Sequence, residues 1–247
     1  MHCKGFILHL ERAVGRTAQA EALRADLPVD TQILPAVDGL QMSDAEARRF
    51  IRPGMHEPHY PFALSKTEIA CFLTHRRAWQ AIVDEDCDAG LIVEDDAAVA
   101  SPHLAAVICA ALASLHPEEF IRFPHRERHE PGPVAREIGP ARFIEPRLPA
   151  LGMVMQLVGR EAARRLLDAS WQFDRPVDNF VQMQWLHGAR VLTARPIVIR
   201  EICQQLGGSV IHRSRHGMIH KLMHELQRPL IRLAIRQANE QWRRKSA

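Results

Sequence analysis

An apolar run that ends in three adjacent acidic side chains is the feature that most restricts the fold. Residues 90–93, "GLIV", are typical of a short buried strand, and Glu94, Asp95 and Asp96 follow directly. Two like charges about 4 Å apart repel by about 1 kcal/mol even in bulk water, and by more near a protein surface. We therefore expect these carboxylates either to be spread into solvent or to surround a positive group.

The first forty residues predict the kind of sheet to which this strand belongs. Residues 4–10 are typical of a strand, residues 15–27 of a helix, and residues 31–39 of a second short strand that runs into a turn. A strand, a helix and a strand in succession indicate an α/β architecture. We expect a mainly parallel central sheet flanked by helices.

The clearest helix pattern covers residues 64–86. Ser65 and Glu68 match the S-x-x-E capping box, and apolar residues follow at helical spacing. Lys66 lies in the first turn, where free backbone N–H groups favour phosphate, although an exposed lysine is usually only solvated.

Composition narrows the class of protein. The chain has 247 residues, of which 47% are hydrophobic and 25% charged, as in soluble globular enzymes rather than disordered or fibrous proteins. No apolar run reaches the roughly 18–20 residues of a membrane span, and the run near the N-terminus is too short for a signal peptide. Five cysteines without a CxxC pair fit reduced thiols. We therefore expect a cytoplasmic location.

The charge of the C-terminal part differs from that of the rest. From His212 onward, nine Lys or Arg and two Glu give a local net charge of +7, which leaves −4 for residues 1–211. We divide the chain into a domain, residues 1–211, and a basic helical tail, residues 212–247. The tail has the pattern of an amphipathic helix on an anionic membrane surface, with packing against the domain as the alternative. Because it lacks aromatic stacking residues in a regular pattern, we expect no nucleic-acid partner.

The acidic triplet suggests a metal site at the edge of the sheet. Alternate side chains of an extended chain share a face, so Glu94 and Asp96 should point one way and Asp95 the other. Two carboxylates where a parallel strand meets its loop suit a hard cation such as Mg²⁺ or Mn²⁺, which would bind a diphosphate. An ordinary solvated turn is the alternative.

Six segments occur along the chain in a specific order. They are "HLERAVGR" (9–16), "AVDG" (36–39), "LSKTEIACFLTHRRAW" (64–79) with "LIVEDDA" (91–97) after it, "GMVMQLVGREAARRLL" (152–167), "DRPVDNF" (174–180) and "QLGGSVI" (205–211). In this order they resemble glycosyltransferase family 25, the group that holds lipooligosaccharide galactosyltransferases. The resemblance covers most of residues 4–211.

The resemblance implies a GT-A type of nucleotide-sugar-binding fold and a metal-dependent, inverting sugar transfer. The sugar is typically galactose, the donor a UDP-sugar, and the acceptor a lipopolysaccharide, a lipooligosaccharide or a related saccharide or glycolipid at the inner face of the cytoplasmic membrane. By family role, Asp96 is the main ligand of Mn²⁺ or Mg²⁺, Glu94 contacts the ribose or the metal, and Asp95 orients the loop.

The resemblance also gives candidate roles to residues on the donor side. Arg12 and Arg16 are candidates to pair with nucleotide phosphate, with ordinary surface charge as the alternative. Asp38 lies in the family's turn at residues 36–39. His75 is either a hydrogen-bonded structural histidine or a substrate contact, and the resemblance lets Glu68 face the site as well as cap its helix.

Two further candidates would complete the reaction centre. An inverting transfer needs a base that takes the proton of the acceptor hydroxyl. Asp178 is our candidate, and capping the next helix is its alternative, though not exclusive, role. His212 is a candidate to complete the metal site, because GT-A enzymes often use a histidine late in the chain.

The chain departs from the family's usual residues at five positions. His9 stands in place of Asn, Ala70 of Gly, Thr74 of Ser, and Met153 and Gln156 of Thr and Tyr. The last two are expected to change the acceptor or weaken activity. The alternatives to an active transferase are a catalytically inactive family member, a metal-dependent phosphohydrolase that uses the acidic triplet, and a module that binds anionic polymers.

Overall fold

The structure is a computed structural model. The part of the chain that it describes is built around an eight-stranded sheet. That part comprises residues 1–208 and a helix over residues 218–246, with side chains described for 1–208 and 227–245. The strands are β1 (Cys3–His9), β2 (Asp30–Pro35), β3 (Ala89–Glu94), β4 (Ala97–Val99), β5 (Glu119–Arg122), β6 (Val134–Ile138), β7 (Ala141–Ile144), β8 (Met155–Gly159), β9 (Arg190–Arg195) and β10 (Ile199–Glu201). Strands β4 and β10 form a separate two-stranded sheet.

The direction of the strands confirms the predicted α/β sheet. Their order is β2-β1-β3-β8-β5-β9-β7-β6. Strand β1 is parallel to β2 and β3, and β5 is parallel to β9, whereas β8 and β7 run against their neighbours. With β7 and β8 reversed, the other six strands run in one direction, so the sheet is mainly parallel.

Helices cover both faces of this sheet. They are α1 (Thr17–Asp26), α2 (Asp44–Phe50), α3 (Lys66–Asp84), α4 (Leu104–Ser114), α5 (Arg160–Ala169), α6 (Val177–Val181), α7 (Gln184–His187) and α8 (Met218–Ser246), with 3-10 turns at Val14–Arg16 and Cys203–Leu206. The capping box predicted at the start of α3 is present, with reciprocal hydrogen bonds between Ser65 and Glu68. None of the helices in the described ranges is long and apolar enough to cross a membrane.

The two faces of the sheet carry separate hydrophobic cores. Ile7, Leu91 and Val93 pack on the face that α1 and α4 cover. Phe6 and Ile92 pack on the opposite face, against α3 and α5. Because side chains alternate along a strand, the last residue of β3, Glu94, points to the α3 face, and Asp95 points to the α1 face.

The C-terminal helix packs against the domain through one of its faces. Asn239 is buried; its Oδ1 accepts a hydrogen bond from the Gln184 N–H (3.1 Å), and its Nδ2 donates to the Gln182 carbonyl (2.9 Å). Ile235 is buried one turn earlier. Packing, the alternative role of the predicted tail, therefore accounts for this face of α8. The predicted boundary at residues 211 and 212 lies outside the described residues.

We predict that Asn239→Ala lowers the free energy of unfolding by about 1–3 kcal/mol, because two buried backbone groups lose their partner. Denaturant unfolding of the full chain measures this change. Gln237→Ala on the exposed side of the same helix is the control. Equal unfolding midpoints for both variants and the wild type would show that α8 does not dock through Asn239.

Candidate active site

A buried arginine lies among the acidic side chains at the carboxyl ends of β1 and β3. Nη1 of Arg16 donates to Asp95 Oδ1 at 2.8 Å and to Asp96 Oδ2 at 3.3 Å, and Nη2 donates to the Gly208 carbonyl at 2.8 Å. Arg16 is only 6% exposed, so the alternative of ordinary surface charge is wrong for this residue. The positive group expected among the three carboxylates is therefore Arg16.

Asp95 is fully engaged in holding the loop. Its second oxygen, Oδ2, lies 2.8 Å from Nδ1 of His9, and the other nitrogen of that ring lies 3.3 Å from the Thr17 hydroxyl. Asp95 is buried, and both of its oxygens have partners. This agrees with the loop-orienting role that the resemblance implied, and it assigns a contact to His9, where the family often has Asn.

Glu94 faces helix α3. Its Oε1 lies 3.4 Å from Nε2 of His75, which is buried. Cys71, one turn earlier on α3, completes a group whose possible ligand atoms all lie within 4.8 Å of one another. Among the described residues, Nδ1 of His75 has no hydrogen-bond partner. The capped helix α3 thus brings His75 to the strand end that carries Glu94.

Asp96 has one oxygen that no described residue satisfies. Strand β3 ends at Glu94, and the chain turns at residues 95–96, so the strict alternation expected for Asp96 stops there. Oδ2 of Asp96 reaches Arg16, whereas Oδ1 is buried without a hydrogen-bond partner among the described residues. Burial and the charge of Glu94 raise the pKa of Asp96 to about 7.

The structure adds Glu201, a residue that our sequence reasoning did not identify. Strand β10 pairs antiparallel with β4, and Glu201 stands opposite Ala97. Possible ligand atoms of Asp96, Glu201 and Cys203 lie within 4.8 Å of one another. The one signal in the sequence is the position of Glu201 at the end of an apolar strand pattern, and nothing local links that strand to the acidic triplet.

These donors fit a hard divalent cation. Asp96 and Glu201 supply neighbouring carboxylate oxygens, the ligands that Mg²⁺ and Mn²⁺ prefer, and Oδ1 of Asp96 is available for one such bond. Glu94 lines the same cavity, but its nearest possible ligand atoms are those of Cys71 and His75. The thiol of Cys71 does not suit the role, because burial raises its pKa well above the usual range and a thiol binds metal as the thiolate. His212, the other candidate ligand, lies outside the described residues.

A cavity of about 180 Å³ opens beside these carboxylates. Its lining includes Arg12, Gly39, Thr67, His75, Glu94 and Asp96. A Cβ on Gly39 would lie 2.7 Å from the Lys66 carbonyl oxygen, so only glycine lets the turn at residues 36–39 approach the start of α3 this closely.

The side chains of the remaining donor-side candidates form hydrogen bonds or ion pairs with neighbouring residues. Nε of Arg12 donates to Asp38 Oδ2 at 2.8 Å, and Oδ1 of Asp38 accepts from the Leu40 N–H at 2.9 Å. Lys66 pairs with Asp44 at 2.6 Å, and the Glu68 carboxylate accepts from Ser65. Arg12 thus lines the cavity, whereas Lys66 and Glu68 are bonded elsewhere at the start of α3.

Asp178 is half-buried and does not act as a helix cap. It lies in the first turn of α6, where Pro176 occupies the N-cap position, so the capping alternative is wrong. Oδ1 of Asp178 accepts from the backbone and side chain of Asn179, and Oδ2 accepts from the Gly152 N–H at 3.2 Å. Burial raises the pKa of Asp178, which makes its carboxylate a better proton acceptor.

The two departures on the segment at residues 152–167 are interior residues. Met153 is buried in the core beneath α3. Gln156 is also buried; its Nε2 lies 3.4 Å from the Ile92 carbonyl, and its Oε1 has no partner among the described residues. Neither of them lines the cavity beside the carboxylates.

Comparison with known proteins gives matches in sequence to part of the chain. Residues 2–134 match the sequence profile of glycosyltransferase family 25, described as an LPS biosynthesis protein. A glycosyltransferase 25 family member of Drosophila pseudoobscura pseudoobscura is 34% identical over 95 residues, which are 37% of this chain and 15% of the relative. Human procollagen galactosyltransferase 2 is 27% identical over 94 residues, again 37% of this chain and 15% of the relative.

Other similar proteins include an inactive relative and a solved structure. The mouse inactive glycosyltransferase 25 family member 3 is 27% identical over 94 residues, 37% of this chain and 16% of that protein. The crystal structure of the galactosyltransferase LgtC with donor and acceptor sugar analogues is 12% identical, with a TM-score of 0.37 over 90% of this chain and 94% of that one. For each of the three family 25 relatives named above, the match covers only about a sixth of the relative's own length.

We predict that, without metal, Asp96→Asn is more stable than the wild type at pH 7.5 but not at pH 4. The folded-state pKa of Asp96, about 7, lies above its ordinary value of 3.8. The stability that the protonated carboxyl contributes is therefore lost as pH rises from about 4 to 7. The expected difference at pH 7.5 is up to about 4 kcal/mol.

Denaturant unfolding in EDTA at several pH values measures this difference. Asp26→Asn, at an exposed position at the end of α1, is the matched control and should follow the wild type. A pH-independent difference between Asp96→Asn and the wild type would contradict the raised pKa.

Proposed function

Because the chain belongs to glycosyltransferase family 25, we propose that it transfers a hexose, galactose, from a UDP-sugar to a saccharide acceptor with inversion at the anomeric carbon. The acceptor we propose is the saccharide of a lipopolysaccharide, a lipooligosaccharide or a related glycolipid. The galactosyltransferase among the similar proteins and the family's description support these choices.

One observation carries the proposal: a buried carboxylate oxygen on Asp96, without a partner among the described residues, at the carboxyl edge of a mainly parallel sheet and next to Glu94. Ligands of α/β sheets bind at that edge. When bound there, Mn²⁺ or Mg²⁺ supplies positive charge that stabilises the departing diphosphate of UDP.

The side chains around the cavity have distinct proposed tasks. Arg16 and Asp95 fix the loop, so that Asp96 and Glu94 present oxygens at defined positions. Arg12 lies at the rim, where it can exchange its bond with Asp38 for a nucleotide phosphate. His75 can donate or accept a hydrogen bond with substrate through its Nδ1, which no residue in the described part of the chain bonds.

Asp178 is the proposed base. It would take the proton of the acceptor hydroxyl as that oxygen attacks the anomeric carbon. Burial is the main reason that the pKa of Cys71 is raised, and the charges of Glu94 and Asp178 add to it. That both charges reach the same thiol supports the proposal that the base and the metal ligands belong to one site, although Asp178 does not itself line the cavity beside the carboxylates.

A catalytically inactive member is the second candidate. The chain is 27% identical both to human procollagen galactosyltransferase 2 and to the inactive mouse family member over matches of equal length. The interior departures Met153 and Gln156 fit this candidate too. The phosphohydrolase alternative predicts release of phosphate from simple esters without any acceptor.

We predict Mn²⁺-dependent turnover of one UDP-sugar, measured as UDP release with and without saccharide acceptors. Asp178→Asn should lower kcat by about 10²–10⁴-fold while donor affinity stays unchanged, because a general base contributes about that much. Asp96→Asn should remove the dependence on Mn²⁺.

The exposed variant Asp26→Asn is again the matched control for both substitutions. Metal-stimulated turnover that survives Asp96→Asn would refute the metal site. If the wild type turns over no UDP-sugar although it binds UDP with Mn²⁺, the inactive alternative is correct.

We also propose a peripheral position on the cytoplasmic face of the membrane, where a glycolipid acceptor would be reached. Leu230 and Leu233 of α8 are 68% and 50% exposed, and the exposed Arg232 lies between them. These residues support contact with an anionic lipid surface through the side of α8 that does not pack on the domain.

We predict that the protein floats with vesicles that contain anionic phosphatidylglycerol, and less with neutral phosphatidylcholine vesicles. The double variant Leu230→Ser, Leu233→Ser should reduce the bound fraction several-fold, because it removes apolar area from the contact. Val134→Ser, at an exposed apolar position of β6, is the control. Equal flotation with both lipids would exclude this contact.

A further inference from the structure

A second cavity, of about 610 Å³, lies on the other side of the turn at residues 36–39. Helices α2 and α3 and the end of α5 enclose it, and Val37 lines both this cavity and the one beside the carboxylates. Its volume falls within the range of about 300–1,000 Å³ that is usual for small-molecule sites. The proposed reaction uses none of the arginines that line this cavity.

The cavity has an excess of unpaired positive charge. Arg49, Arg76 and Arg77 line it, and no carboxylate oxygen of the described residues lies within 4.0 Å of their guanidinium nitrogens. The acidic lining residues, Asp38 and Glu46, are engaged with Arg12 and with the N-cap Ser43. An anion that entered would therefore meet three guanidinium groups that carry no ion pair in the described part of the chain.

Arg76 is held in place and is only partly solvated. Its Nη1 donates to the Leu167 carbonyl at 2.8 Å and to the Ser170 hydroxyl, which fixes the guanidinium between α3 and α5. Burial lowers the pKa of Arg76, because the charge loses water without gaining a close carboxylate. A fixed guanidinium offers parallel N–H groups that match a phosphate or carboxylate.

The other two arginines extend this positive wall. Nη1 of Arg77 donates to the Pro35 carbonyl at 3.2 Å, and Arg49 is exposed in the last turn of α2. Between the arginines the lining is apolar, with Met42, Phe50 and Leu73. The cavity thus combines anion-binding groups with a surface suited to the C–H face of a sugar ring.

We propose that this cavity binds a sugar that carries a phosphate or a carboxylate. The shared residue Val37 places the cavity next to the proposed transfer site. If the proposed function is correct, an anionic residue of the acceptor saccharide occupies the cavity while its hydroxyl reaches the transfer site. A free sugar phosphate would use the same contacts, and the experiments below distinguish the two sources.

Titration calorimetry of the full chain with glucose 6-phosphate and with glucuronate tests the site without donor or metal. We expect binding of both probes and none of glucose. Arg49→Gln and Arg77→Gln should each weaken binding at least tenfold. Arg48→Gln is the matched control, because Arg48 is exposed in the same turn of α2 but does not line the cavity. Absence of binding to the wild type, or an equal loss in Arg48→Gln, would overturn the proposal.

Transfer kinetics then identify the source of the anion. With a phosphorylated acceptor, Arg49→Gln should raise KM about tenfold and leave kcat unchanged, and a phosphate-free acceptor should show no difference between variant and wild type. If KM is unchanged for both acceptors while glucose 6-phosphate still binds, the cavity serves a free sugar phosphate. If no acceptor supports transfer while the probes bind as expected, the proposed function fails and this site stands.

Discussion

The buried guanidinium of Arg16 is the interaction on which the candidate site depends. Three consecutive carboxylates at a strand end repel one another, and the desolvation of each raises the cost. Arg16 offsets this by bonding Asp95 and Asp96 and by holding the Gly208 carbonyl, so that the segments at residues 16, 95–96 and 208 meet at one point. Removing the guanidinium, which would leave neighbouring carboxylates uncompensated, typically costs about 3–5 kcal/mol.

This arrangement divides the triplet into different tasks. Asp95 is fully hydrogen-bonded on the α1 face of the sheet, and Glu94 faces α3. Asp96 keeps one buried oxygen that no residue in the described ranges satisfies. An unsatisfied buried carboxylate is unfavourable unless the proton or a cation compensates it, which is why the pKa of Asp96 is raised. When nothing compensates its charge, the Asp96 carboxylate destabilises the folded protein. Binding of a divalent cation removes this cost, so the site is well suited to such an ion.

Local sequence patterns predicted much of the fold and part of the candidate site. They did not predict contacts between segments that are far apart in the chain. The capped helix α3 and the strand that ends at Glu94 follow from spacing and capping residues alone, because both are determined within about twenty residues. The contacts of Arg16 and Glu201 depend on how β1, β3, β4 and β10 assemble, which no local pattern encodes. The capping role considered for Asp178 was wrong, because Pro176 takes the N-cap position. Burial, rather than helix geometry, determines the environment of the Asp178 carboxylate.

The turn at residues 36–39 separates two cavities of opposite charge, and this suggests how one chain could handle two anionic groups. A diphosphate cannot approach Glu94 and Asp96 directly, because the carboxylates repel it, so the cavity beside them requires a bridging cation. The cavity beyond the turn has arginines without close carboxylates among the described side chains, so the anion that we propose there would need no metal. Because Gly39 brings the turn against α3, the two regions are adjacent without sharing charged side chains. Donor and acceptor anions would then be bound by different chemistry, and neither would compete for the other's site.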